Sequence, residues 1–308
     1  LELEDRGGAA KAMCHIGAVQ RQRSQLEAAL KSERTALAVH RALGNRVWEG
    51  VALGSLGQSL HRAGDFEEAE ACYDQALAIH REVGNRRQEA NILARMGNLS
   101  LLRGRAEDAY ATYEDAITTH REVGDRRGEA VVLANASLLL KQQGRLEEAA
   151  TMVASALGIQ RRIGDRFHES ILMGNYGDLL YAQGKHDEAE GYLQEAISIC
   201  DRTFLTAAAA FRGSLGLILA ERGRFDEARA LLALGEAALR DQNAFELGKL
   251  LCKRAHIEHL AGEHEAAQAA FAEVTSLIHT LDVNPESEIA KAGRAVAALL
   301  AGEGSNPS

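Results

Sequence analysis

The chain has 308 residues, 46% of them hydrophobic, enough for a substantial core and too apolar for a disordered polypeptide. Aromatic residues make up only 5%, prolines number two, and Ala, Leu, Glu, Arg and Gly dominate, a composition that favours helices over strands. A formal net charge of −9 argues against a surface built to neutralise phosphates, and no stretch approaches the ~20 apolar residues that span a bilayer, so neither nucleic acid nor membrane is an expected partner.

In chain order, residues 1–4 read as the tail of a preceding helix, because Glu4-Asp5-Arg6 stands 120 residues before Gly124-Asp125-Arg126. The opening Leu1-Glu2-Leu3-Glu4-Asp5 is neither a signal peptide nor an initiation site, so a longer parent chain is expected. Seven units follow over 5–282, divided at about 5–44, 45–84, 85–124, 125–164, 165–203, 204–242 and 243–282. Their period is marked by Gly44-Asn45-Arg46, Gly84-Asn85-Arg86, Gly124-Asp125-Arg126 and Gly164-Asp165-Arg166. A second landmark keeps step, from Gly64-Asp65-Phe66 through Gly104, Gly144, Gly184 and Gly223 to Gly262. Glycine ends one helix in the left-handed conformation, and the Asn or Asp after it accepts the free amides of the next. Each unit is therefore two amphipathic helices of ~18 residues. Small residues recur where the pair must cross closely: Gly57, Gly97, Ser137, Gly177 and Gly216 on the first helix, Ala69, Ala109, Ala149, Ala189 and Ala228 on the second. At the end, Asn284-Pro285 predicts the N-cap and first position of a capping helix over 284–301, followed by a disordered tail, 302–308.

The pattern Leu56-Gly57, Gly64, Ala69, Tyr73, Ala76, repeated as Met96-Gly97, Gly104, Ala109, Tyr113, Ala116 and, with Leu193 for the aromatic, as Tyr176-Gly177, Gly184, Ala189, Ala196, resembles the tetratricopeptide repeat. The 40-residue unit and the missing proline at the end of the second helix are similar to the longer subclass found in the Leu-Gly-Asn repeat proteins, kinesin light chain and bacterial signalling proteins. The resemblance implies an all-α, right-handed superhelical solenoid of about seven antiparallel helix pairs with a C-terminal cap, and a concave groove lined by the first helix of each pair. It implies no enzyme activity and no cofactor.

Candidate catalytic groups reduce to structural ones. The pairs Glu67/Glu68, Glu107/Asp108, Glu147/Glu148, Asp187/Glu188 and Asp226/Glu227 lie in first turns, where the helix dipole favours negative charge. His40, His80 and His120 recur at one phase, too far apart for a shared metal, and their place near helix ends points to contact with terminal carbonyls. His256, His259 and His264 lie closer together but lack a third ligand of assured geometry, and a remnant enzyme using His256, His259 and Glu263 is a further candidate. Nucleophile elbows and phosphate loops are missing. The widely separated Cys14, Cys72, Cys200 and Cys252 fit a reducing cytoplasm, and an excess of Arg over Lys fits a GC-rich bacterial genome.

The groove carries what recognition chemistry remains. Asn98, Asn135 and Asn175 stand in helix interiors, where no cap explains them, and an amide offers donor and acceptor together to an extended peptide backbone. An inter-repeat hydrogen-bond ladder is the alternative use of the same amides. Arg95 and Lys141 are placed to engage a carboxylate, Asp178 a basic residue, and Tyr181 an apolar anchor. The expected function is a non-catalytic scaffold or sensor module that binds a protein, a peptide, or another domain of its own chain, within a larger bacterial signalling protein. A receptor for a peptide signal or small ligand that controls an attached output domain is the competing expectation.

Overall fold

The computed structural model describes residues 2–201, 204–285 and 287–302, with side chains from Arg6 onward. Among these residues there are fifteen α-helices and no strand: α1 (Glu2–Gln22), α2 (Leu26–Ala42), α3 (Arg46–Ala63), α4 (Phe66–Glu82), α5 (Arg86–Leu102), α6 (Ala106–Glu122), α7 (Arg126–Gln142), α8 (Leu146–Ile163), α9 (Arg166–Ala182), α10 (His186–Cys200), α11 (Leu205–Glu221), α12 (Phe225–Leu239), α13 (Ala244–Leu260), α14 (His264–Thr280) and α15 (Glu288–Leu300). The chain is an all-α repeat solenoid. None of its described helices is long and apolar enough to cross a membrane.

The turns obey the glycine rule. Every landmark glycine holds a positive φ, from +63° at Gly44 to +89° at Gly64, and the first turn uses Ser24 at +60° in the phase of those glycines. The side chains of Asn45, Asn85, Asp125 and Asp165 then accept from the amides of Trp48, Gln88, Gly128 and His168, each starting a helix.

The chain divides into two compact units, Leu1–Ile159 and Gln160–Ser308, with the division inside α8. In the first, α1 packs on α2, α3 on α4 and α5 on α6, and the first helices of successive repeats also touch. At the α3/α4 and α5/α6 crossings an aromatic ring lies against a glycine: a Cβ on Gly57 would come within 2.7 Å of Tyr73, and one on Gly97 within 2.6 Å of Tyr113. Both tyrosines are fully buried.

In the second unit Leu193 takes the place of the ring against Gly177. Helix α11 is buried along nearly its whole length and lies against α9, α10, α12 and α13. Helix α15 rests on α13 and α14, with Ile289 seated over Gly248 and Gly293 beside Ile278.

Both chain ends depart from the sequence-based expectation. Helix α1 runs unbroken from Glu2, so residues 2–4 are its first turn and no tail of a separate helix. Position 4 is Glu where later repeats have the glycine that stops a helix. Helix α15 starts at Glu288, not at Asn284: Ser287 is the cap, its hydroxyl accepting from the Ala290 amide, and Pro285 lies outside the helix. A serine two residues before the apolar run wins over the earlier Asn-Pro because it sets Ile289 on its seat. Of the predicted tail, residues 303–308 lie outside the described residues.

Candidate partner-binding site

The first helices of the repeats carry every residue singled out for recognition. The first unit holds Arg95 and Asn98 on α5 and Asn135 and Lys141 on α7; the second holds Asn175, Asp178 and Tyr181 on α9. All seven are partly exposed.

Asn98 and Asn135 meet. The Asn135 side-chain amide donates to the Asn98 carbonyl at 3.2 Å, and the Tyr113 hydroxyl donates to the same oxygen at 2.6 Å. Part of their capacity is thus spent on linking adjacent repeats. The arrangement still leaves the Asn98 NH2 and the Asn135 carbonyl without a hydrogen-bond partner among the described residues, a donor and an acceptor of the kind a peptide backbone complements. Lys141, Asn175 and Asp178 make no side-chain hydrogen bond or ion pair among the described residues. Tyr181 donates its hydroxyl to Glu221 and its ring lies 5.3 Å from His186.

Arg95 is a different case. Its guanidinium donates to the Gly54 carbonyl at 2.9 Å and pairs with no carboxylate among the described residues. Burial and the like charge of Arg21 push its pKa down, against the pull of Tyr73 and Glu33. Arg95 and Arg21 both line a cavity of about 470 Å³ between α1, α3 and α5, together with Trp48, Val51, Ile92 and His80.

Arg21 escaped the sequence reading, and so did the residue that holds it. Glu33 occupies the phase filled by Tyr73 and Tyr113 in the next two repeats. It is completely buried, lies against Gly17 as Tyr73 lies against Gly57, and accepts from Arg21 at 2.6 Å. Arg21 also donates to Ser59 Oγ and the Ser55 carbonyl. The signal was a carboxylate in an aromatic column.

A second set of carboxylates is structural. Glu49, Glu89, Glu129 and Glu169 are buried near the starts of α3, α5, α7 and α9. Each accepts from the arginine three residues before it and from one at the end of the preceding helix, as Glu89 does from Arg86 at 2.6 Å and Arg81 at 2.9 Å. Burial acts to raise the Glu89 pKa, but these two bonds outweigh it and hold the carboxyl below its usual value. Among the first-turn carboxylates, Glu67 bridges to Arg103 and Asp187 to Arg222 of the next repeat, while Glu148 and Glu227 pair with Arg145 and Arg224 beside them.

The histidine column does not bind terminal carbonyls. His40, His80 and His120 are buried, with His40 stacked on Trp48, His80 pressed against Gly50, and His120 against Gly128 and 3.3 Å from Asp125. Among the described residues no group of three or more His, Cys, Asp or Glu side chains is placed to hold a metal ion.

In the second unit two side chains of its own cover parts of the equivalent face. Phe211 fills the space beside Gly174, where a Cβ would lie 2.1 Å from its ring, and Lys253 runs over Gly213 to Ser214 Oγ at 2.7 Å and the Ala210 carbonyl at 3.2 Å.

The tetratricopeptide repeat family matches the sequence over residues 8–82, 88–162, 136–202 and 168–241, most of its length. The chain belongs to the tetratricopeptide repeat family. No curated protein matches it. Among solved structures it is similar to the apo form of RapI (TM-score 0.73, 14% identity, 89% of this chain and 76% of that one). It is similar also to BtubC from P. vanneervenii (0.61, 20%, 74% and 93%). A third is a signal transduction ATPase with numerous domains and a tetratricopeptide repeat sensor, from Pyrococcus horikoshii (0.59, 15%, 97% and 43%). At these identities the likeness is one of fold.

Proposed function

We propose that this repeat protein is a non-catalytic recognition module that takes up an extended segment of a partner protein, or of another domain of its own chain, along the first helices of its repeats. The observation that carries the reading is the Asn98–Asn135 pair, whose remaining donor and acceptor make no hydrogen bond among the described residues. Arg95 and Lys141 supply cations to a carboxylate on that segment. Within the second unit, Asn175, Asp178 and Tyr181 on α9 offer an amide, an acid and a ring to backbone, a basic residue and an apolar group of a bound segment. Neutral hydrogen bonds contribute a net ~0.5–1.5 kcal/mol each, so three amides need these flanking contacts to reach the roughly 8 kcal/mol of micromolar binding. The repeat sensor named in the Pyrococcus horikoshii signal transduction ATPase supports placing the module in a larger signalling protein.

A photoreactive amino acid in place of Leu138, exposed on α7 in the phase of Asn98, tests the reading. Crosslinking in cells should capture a defined partner, and a probe at Ser155 on α8 should not. The double substitution Asn135→Ala, Asn175→Ala should reduce capture at least about tenfold, some 1.4 kcal/mol, with helical content unchanged. Undiminished capture assigns these amides to the scaffold alone.

A further inference from the structure

The cavity between α1, α3 and α5 has the features of a ligand site. Its volume, about 470 Å³, falls in the range of small-molecule pockets. Its lining is chemically mixed. Arg21 and Arg95 line it together with the apolar Val47, Val51, Ile92 and Trp48 and the polar His80 and Gln88.

The charge balance is uneven. Arg21, Arg95 and Glu33 form one group, two cations about a single carboxylate, in a protein whose net charge is −9. Glu33 is turned towards Arg21, and one of its oxygens is buried without a partner. Burial raises its pKa, while Ser59 and Arg21 act to lower it. Two guanidinium groups share one carboxylate, so the cluster retains at least one positive charge that no other carboxylate among the described residues pairs with. Replacing a core aromatic by a buried carboxylate forfeits packing, and the arginine it fixes at the cavity wall is the compensating feature. A guanidinium with several unused donors in a partly desolvated site is complementary to a planar oxyanion.

We infer that this cavity binds a carboxylate carried on a short apolar stem, with Arg95 and Arg21 holding the carboxylate and Val51, Ile92 and Trp48 receiving the stem. An acidic end or side chain of a bound peptide and a free short-chain acid present the same chemistry. The inference rests on the reading of the first helices as a recognition face, and gives that face a ligand class and an anchoring point.

Trp48 is the only tryptophan of the chain and lines the cavity, so its fluorescence reports occupancy directly. N-acetyl-L-leucine should change the emission saturably, with a Kd of about 1 mM or tighter. N-acetyl-L-leucinamide, with the same stem and no charge, and inorganic phosphate, a charge without a stem, should each bind at least about tenfold more weakly. Arg95→Gln should weaken N-acetyl-L-leucine at least about tenfold, Arg95→Lys by less because the charge stays, and Arg23→Gln on the surface should change nothing. Circular dichroism of Arg95→Gln separates lost binding from lost fold, and Arg95→Lys gives the ranking if the glutamine variant does not fold. A flat titration, an equal response to the leucinamide or to phosphate, or undiminished binding by Arg95→Gln overturns the inference. A flat titration beside intact crosslinking from position 138 condemns the cavity alone; a saturable titration without crosslinking supports the cavity while the peptide groove fails. A docked peptide whose terminal carboxylate, but not its amide, competes with N-acetyl-L-leucine identifies the peptide as the source.

Discussion

Replacing Gly97 by alanine links packing to recognition through one ring. The new Cβ would stand 2.6 Å from Tyr113 Cε1, 2.7 Å from Cδ1 and 3.2 Å from Cζ. Carbon atoms rest at about 3.5–4.0 Å, so the ring must retreat by about 1 Å. It has nowhere to go, being fully buried, and its hydroxyl is tied to Asn98 at 2.6 Å. Overpacking costs about 1–3 kcal/mol and loss of the hydroxyl bond about 0.5–1.5, against a gain of ~1 in helix propensity. The net expectation is a destabilisation of about 1–3 kcal/mol. The same change at Gly191, exposed on α10 with nothing near its would-be Cβ, should stabilise by about 0.5–1 kcal/mol. Urea unfolding followed by circular dichroism gives both values. Crosslinking from position 138 should fall for Gly97→Ala, since a displaced ring frees Asn98 to turn. If the two variants move stability in the same direction, close approach at Gly97 is not what its glycine is for.

Three further outcomes follow from buried titratable groups. Glu89→Gln should cost about 1–2 kcal/mol in urea unfolding, less than two charge-assisted bonds suggest, because Arg81 and Arg86 are about half exposed and water replaces part of the loss. The folded Glu89 pKa lies below its ordinary 4.5, so this contribution is present above about pH 4.5 and disappears as the pH falls through the folded value; Glu89→Gln should be correspondingly less acid-sensitive. Burial lowers the pKa of His80 and His120 below the ordinary 6.5, so stability is intact above pH 6.5 and declines as the pH falls through the folded values. Replacing both by Gln, the residue at position 160 in the same phase, should flatten melting temperature between pH 7 and 5, and an unchanged slope refutes the assignment. The thiols of Cys14, Cys72 and Cys252 are pushed up to about 11 by burial, so an aromatic disulfide reagent at neutral pH should modify them only at the rate of unfolding; a fast phase in native buffer contradicts this.

Much of this architecture was legible as periodicity. Gly44, Gly84, Gly124 and Gly164, each with its Asn or Asp, marked helix ends and starts because capping is local chemistry, settled within four or five residues. The Arg86-x-x-Glu89 spacing, repeated at Arg46, Arg126 and Arg166, is equally periodic, but its second arginine partner comes from the end of the preceding helix, which no local spacing reveals. Glu33 in the tyrosine column was visible too, and pointed to Arg21. The start of α15 was misplaced because two capping signals, Asn284-Pro285 and Ser287, competed within four residues, and the seat for Ile289 on α13 decided between them.

What residue order determined by itself was the count of hairpins, their turns and the face each helix buries, since these follow from dihedral preferences and a 3.6-residue period. What tertiary structure decided was how polar side chains on the remaining face spend their bonds. Asn98 and Asn135 pair across a helix boundary, Lys253 closes over Gly213, and Arg95 is left beside an open cavity. Those outcomes depend on distances between residues about 40 positions apart, which rotamers and helix packing set and no local pattern encodes.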